Sequence, residues 1–176
     1  GLLEAKEAAR YVRDVARAIH HAHLKGVLHR DLKPANVLID EHDHIHVTDF
    51  GLAKHMDSDS SVTGSGAAIG TPHYMAPEQA GGHSDRVCTE SDVYALGAIL
   101  FACLTGRPPI IADTVVQTLL QVVHQPAPAV RSLRSDVPLD VETIVAKCLE
   151  KNPGKRYESA EKLADELDAF IEDRHI

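Results

Sequence analysis

The sequence predicts a mainly α fold: a helical bundle carrying one small β-hairpin. Three observations point there. Apolar residues return at helical spacing in five separate stretches. Only two short runs, Val37-Leu38-Ile39 and Ile45-His46-Val47, read as strands, and the polar turn Asp40-Glu41-His42-Asp43 joins them into a hairpin. Hydrophobic residues make up 44% of the 176, enough for a single core, so one domain over residues 1–176 is expected.

The elements follow in chain order. Residues 4–25 form an amphipathic helix, because Ala8, Val12, Val15, Ala16, Ile19 and Ala22 share one face and Gly26 is placed to end it. Next comes a charged loop, "HRDLKPAN", from His29 to Asn36. Pro34 bars it from a helix interior, and so much charge is foreign to a strand. The hairpin follows, and then residues 57–66, "DSDSSVTGSG", whose composition is that of a loop. The second half is helical. Residues 90–104 are the most apolar stretch, ended by Thr105-Gly106-Arg107-Pro108-Pro109. Residues 113–124, 140–149 and 159–173 make three more helices, with a proline-punctuated loop at 126–138.

Composition excludes several classes of function. The 18 Lys and Arg against 26 Asp and Glu leave a net charge of −8, the wrong sign for a nucleic-acid surface. No apolar run reaches the ~20 residues of a membrane span, so this segment is expected to make no membrane contact, although the full-length protein could be membrane-anchored outside it; the cysteine usage suits a reducing cytoplasm. Cys88, Cys103 and Cys148 are odd in number and far apart, which argues against zinc and against a disulfide framework. Twelve histidines invite a metal reading. Yet His20, His21 and His23 cannot share one helix face, and they read as solvated or packing side chains.

The charged loop has the residues that phosphoryl transfer needs. A carboxylate at Asp31 can orient an attacking hydroxyl and take its proton. Lys33 can balance charge on the moving group. Magnesium needs hard oxygen ligands, and Asn36 and Asp49 offer two. The hairpin explains how they meet: it folds the residue before the first strand back beside the residue after the second.

These segments carry a resemblance. "HRDLKPAN", "DFG" (Asp49-Phe50-Gly51) and "APE" (Ala76-Pro77-Glu78) stand in the order of protein kinases. "SDVYALG" from Ser91 and "KNPGKRY" from Lys151 extend the similarity along the chain. "LKPAN" resembles the serine/threonine branch, and "SVTGSGAAIGT" resembles bacterial eukaryotic-like kinases.

The resemblance implies ATP and Mg2+ as cofactors and Ser/Thr-bearing proteins as substrates. It makes Asp31 the catalytic aspartate, Lys33 the phosphate-contacting lysine, and Asn36 and Asp49 the metal ligands. Leu38 would lie beneath the adenine, and Thr71 beside Asp31 and Lys33. Residues 49–78 would be the activation segment. Within it Thr63 and Ser65 fall at phosphorylation positions, with Arg30 as the cation that would pair with the phosphate. His29 and Phe50 are implied as packing residues. Asp92 is implied as an acceptor for backbone donors of the charged loop, and Glu78 with Arg156 as a buried ion pair.

The resemblance covers only the large, C-terminal lobe. No glycine-rich loop between a strand and a helix occurs in the 176 residues; "GSGAAIG" (Gly64 to Gly70) follows no strand and is rejected. The small lobe is therefore expected to be absent from this chain, which would leave the chain inactive alone and Leu38 and Phe50 uncovered for self-association, or else Phe50 would swing inward with residues 49–65 collapsed over the gap. The alternative is a non-catalytic interaction module built on the same lobe, against which the intact Asp31, Lys33, Asn36 and Asp49 argue.

Overall fold

A computed structural model describes residues 2–50 and 72–174. The chain runs α1 (Ala5–Leu24), β1 (Val37–Ile39), β2 (Ile45–Val47), α2 (Pro77–Ala80), α3 (Thr89–Thr105), α4 (Val115–His124), α5 (Leu139–Cys148) and α6 (Ala160–Ile171). Among the described residues the one sheet is the antiparallel β1–β2 pair, in the register Val37↔Val47, Leu38↔His46 and Ile39↔Ile45. The mainly α architecture with a single hairpin is therefore the one observed. No helix of the described residues is long and apolar enough to cross a membrane.

α3 is the hub. It is buried on every side from Ser91 to Phe101, as expected of a helix apolar all round. α1 packs against α6 and α3, and α5 packs on α3 from another side. Of its expected stripe α1 buries Ala8, Val12, Val15, Ala16 and Ile19, leaves Ala22 half-buried, and adds Ala9. Gly26, at φ +73°, turns the chain out of α1, a conformation that costs glycine little.

Helix ends differ from the sequence reading by a residue or two, for capping reasons. Thr114 and Ser159 stand outside α4 and α6, accepting the backbone N–H of Gln117 and Lys162 with their hydroxyls. The single turn α2 and the 3-10 turns at Pro34–Asn36 and Pro72–Tyr74 are too short to show a period in the sequence.

α5 sets the Cys148 side chain directly against the backbone of α3 at Gly97. A Cβ there would lie 2.3 Å from the Cβ of Cys148, which is fully buried. Alanine would recover about 1 kcal/mol of helix propensity but would force the helices apart, at roughly 1–3 kcal/mol. Gly97→Ala should thus lower the melting temperature by several degrees. An unchanged or raised melting temperature would show that α5 yields freely.

Candidate functional site

The site is assembled at one end of the hairpin, over the N-terminal end of α3. The hairpin brings Asn36 and Asp49 together as the spacing implies. One step beyond the Val37↔Val47 pair, the Thr48 N–H donates to the Asn36 carbonyl at 2.9 Å. Asp49 is the next residue, held at φ +60°, an uncommon conformation for a residue with a side chain. The hairpin's far end is tied down separately. Asp40 caps its turn through the backbone N–H groups of His42 and His44, and Asp43 takes bonds from the Tyr11 hydroxyl and Arg10 of α1. The His46 imidazole, followed by the turn N–H groups, holds the Asp40 carboxyl well below the usual carboxylate range.

Asp31 presents a half-buried carboxylate to the Lys33 ammonium, 2.8 Å away. Its backbone is clamped from both sides. The Asp31 carbonyl accepts the Asn36 side-chain N–H at 2.9 Å, and its N–H reaches His29 Nδ1 at 3.4 Å. Donation from Asn36 Nδ2 leaves Oδ1 as the atom with which Asn36 can ligate a cation. Among the described residues no three His, Cys, Asp or Glu side chains converge as a metal cage. One amide oxygen and one carboxylate nevertheless suit Mg2+, which keeps waters and substrate phosphates in its shell.

His29 does more than pack. It is fully buried, and its Nε2 lies 2.9 Å from the Thr48 carbonyl, so Nε2 carries the proton and Nδ1 faces the Asp31 N–H as acceptor. The ring therefore links the charged loop to the residue before Asp49. Asp92, 2% exposed, supports the loop from α3: its carboxylate accepts the backbone N–H groups of His29 and Arg30 at 2.9 and 3.0 Å. A third donor, His23 Nε2 at 2.8 Å, was not foreseen. The signal was available. His23 lies four residues after Ile19 on the apolar stripe of α1, and a polar side chain there needs a buried partner.

Leu38 is 53% exposed on the hairpin, and Ile39 beside it 50%. The uncovered face expected of Leu38 and Phe50 is met at Leu38 only. Phe50 is half-buried against the core, its ring centroid 4.8 Å from that of His29. It lies inward because that ring offers it an apolar and aromatic seat. Thr63, Ser65 and Thr71 lie outside the described residues. Arg30, the cation meant for a phosphorylated loop, is exposed and sits at φ +66°.

Below the site, Arg156 and Glu78 meet as a bidentate pair at 2.8 and 2.9 Å, both side chains almost fully buried. Every guanidinium N–H is used. Besides Glu78, the carbonyls of Glu90, Glu150 and Lys151 accept, and the Tyr94 ring covers one face at 5.1 Å. Ser91 donates a further bond to Glu78. Burial pushes the Glu78 carboxyl up, but the bonds from Arg156 and Ser91 outweigh it and hold the carboxyl below its ordinary value. Burial also pushes the Tyr94 phenol up to about 12.

Residues 1–167 match the protein kinase domain family. The chain is 41% identical over 175 residues to the serine/threonine-protein kinase PrkC of Bacillus subtilis, a match covering 99% of this chain and 26% of that protein. It is 36% identical over 167 residues to a probable serine/threonine-protein kinase of Clostridium acetobutylicum, covering 95% and 25%. Against PknB of Mycobacterium leprae the figures are 38% over 167 residues, 95% and 26%. The chain thus spans about a quarter of the length of these curated relatives.

Proposed function

Because the chain belongs to the protein kinase family, we propose that it is the large lobe of a serine/threonine kinase, the half that holds the catalytic loop and the peptide substrate. The observation that carries this reading is the Asp31 carboxylate held by Lys33 at 2.8 Å, in a loop whose Asn36 is hydrogen-bonded to the residue beside Asp49. In the reaction, a Ser or Thr hydroxyl is oriented by Asp31 and gives up its proton to that carboxylate. The hydroxyl oxygen forms the new P–O bond, and the bond between the γ-phosphorus of ATP and the bridging oxygen of ADP breaks. Lys33 balances the charge on the transferred group. Asn36 Oδ1 and Asp49 would hold Mg2+, which neutralises phosphate charge when bound.

On this reading the parts that cradle ATP from above lie outside these 176 residues. Support comes from the two-stranded sheet, the lone sheet among the described residues, and from Leu38, which presents an exposed apolar side chain where an adenine would lie. The test compares the 176-residue chain with the full-length protein that contains it, using labelled ATP and a generic Ser/Thr substrate. Transfer is expected from the full-length protein and not from the chain alone. Robust turnover by the chain alone would overturn the division of labour. Silence from both, with the fold intact, would favour a non-catalytic interaction module.

A further inference from the structure

Arg30 holds an uncommon backbone conformation, φ +66°, one residue before the catalytic carboxylate. Such a residue persists only where its surroundings hold it. Both of its backbone polar atoms are held by side chains from elsewhere in the fold. Its N–H is taken by Asp92 of α3 at 3.0 Å, and its carbonyl by Gln79 Nε2 of α2 at 2.8 Å. Asp92 acts from beneath. Gln79 acts from the segment that follows residues 51–71.

The Gln79 amide is itself fixed. Its Oε1 accepts the Ala76 N–H at 3.2 Å, so its other end must be the donor, and the Arg30 carbonyl is the acceptor it meets. The adjacent residue, Glu78, is anchored in the core by Arg156. The single turn α2 thus has one foot in the core and one hand on the catalytic loop. We infer that Gln79 is a positioning residue: it transmits the placement of the 76–80 turn to Arg30 and through it to Asp31. The inference rests on the kinase reading of Asp31, but the contact itself does not.

The experiment uses the full-length protein and two substitutions. Gln79→Glu keeps the acceptor for Ala76 but sets a carboxylate against the Arg30 carbonyl. Gln79→Met keeps the length and loses both bonds. One net hydrogen bond corresponds to roughly a 3- to 10-fold change in an equilibrium or a rate. Amide exchange of residues 29–32 should therefore quicken by about that factor in both variants. The turnover number should fall by a similar factor with KM for ATP and peptide within about twofold, and the melting temperature should move little. Unchanged exchange at residues 29–32 in both variants would overturn the inference. So would a loss of protection spread equally through α3 and α6, or unchanged turnover in an active enzyme. If the unsubstituted protein transfers no phosphate, the kinase reading fails and the exchange measurement alone decides the role of Gln79.

Discussion

Replacing Asp31 by Asn in the full-length protein is expected to cut phosphoryl transfer roughly 10²–10⁴-fold while the fold survives. Asparagine has nearly the same shape and can still orient a hydroxyl, but it cannot take the proton. It also leaves the Lys33 ammonium facing a neutral amide in place of a carboxylate at 2.8 Å. The stability cost should be small. The two side chains are 33% and 22% exposed, so solvent screens the pair, and such pairs contribute ~0–1 kcal/mol. A turnover assay alongside a thermal melt separates the two effects. A loss of tenfold or less would remove Asp31 from the proton-accepting role. A collapse of the melt would mean that the residue is structural.

Replacing Arg156 by Leu should do the reverse, unfolding the protein early without touching the chemistry directly. Glu78 would be stranded with its carboxylate 6% exposed and its bidentate partner gone. Breaking a buried pair from one side costs about 3–5 kcal/mol. In a chain of this size that is a drop of roughly 6–20 °C in melting temperature. The carbonyls of Glu90, Glu150 and Lys151 lose their donor as well. The pH dependence gives a second check. In the parent the Glu78 carboxyl is held below its ordinary value, so the stabilisation is present above the unfolded pKa of about 4.3 and is lost as pH falls through the folded one. In the variant, burial, the largest influence on this carboxyl, is opposed chiefly by the Ser91 bond, and the carboxyl rises. Its stability deficit should therefore shrink as pH is lowered toward 5. A shift of a degree or two, or a deficit independent of pH, would show that water reaches the pair.

How much of this was legible beforehand follows from the range of the interactions. The hairpin and the stripe of α1 rest on residues close in sequence. The spacing Asn36…Asp49 followed from the hairpin, because strand pairing with a short turn leaves little freedom. The α2 turn and the N-terminal limits of α4 and α6 were missed or misplaced, since a single turn has no period and a cap counts as outside its helix. Gln79 could not have been singled out. Its partner, Arg30, is 49 residues away, and neither residue type announces a bond to a backbone carbonyl. Phe50 is the opposite case. An apolar residue next to an expected lobe interface can lie uncovered or turn inward, and packing against the His29 ring decides for the second.

The sequence by itself determined the helical class and the hairpin, and it nominated the candidates for phosphoryl transfer, because each rests on local pattern or on a motif of fixed order. The tertiary structure alone decided how those residues are held. His23, His29 and Arg30 converge on one buried carboxylate of α3, and Arg156 spends all five donors on groups from three separate segments. The physical reason is that burial makes a partner obligatory for every polar group, but only the packed chain determines which partner is within reach.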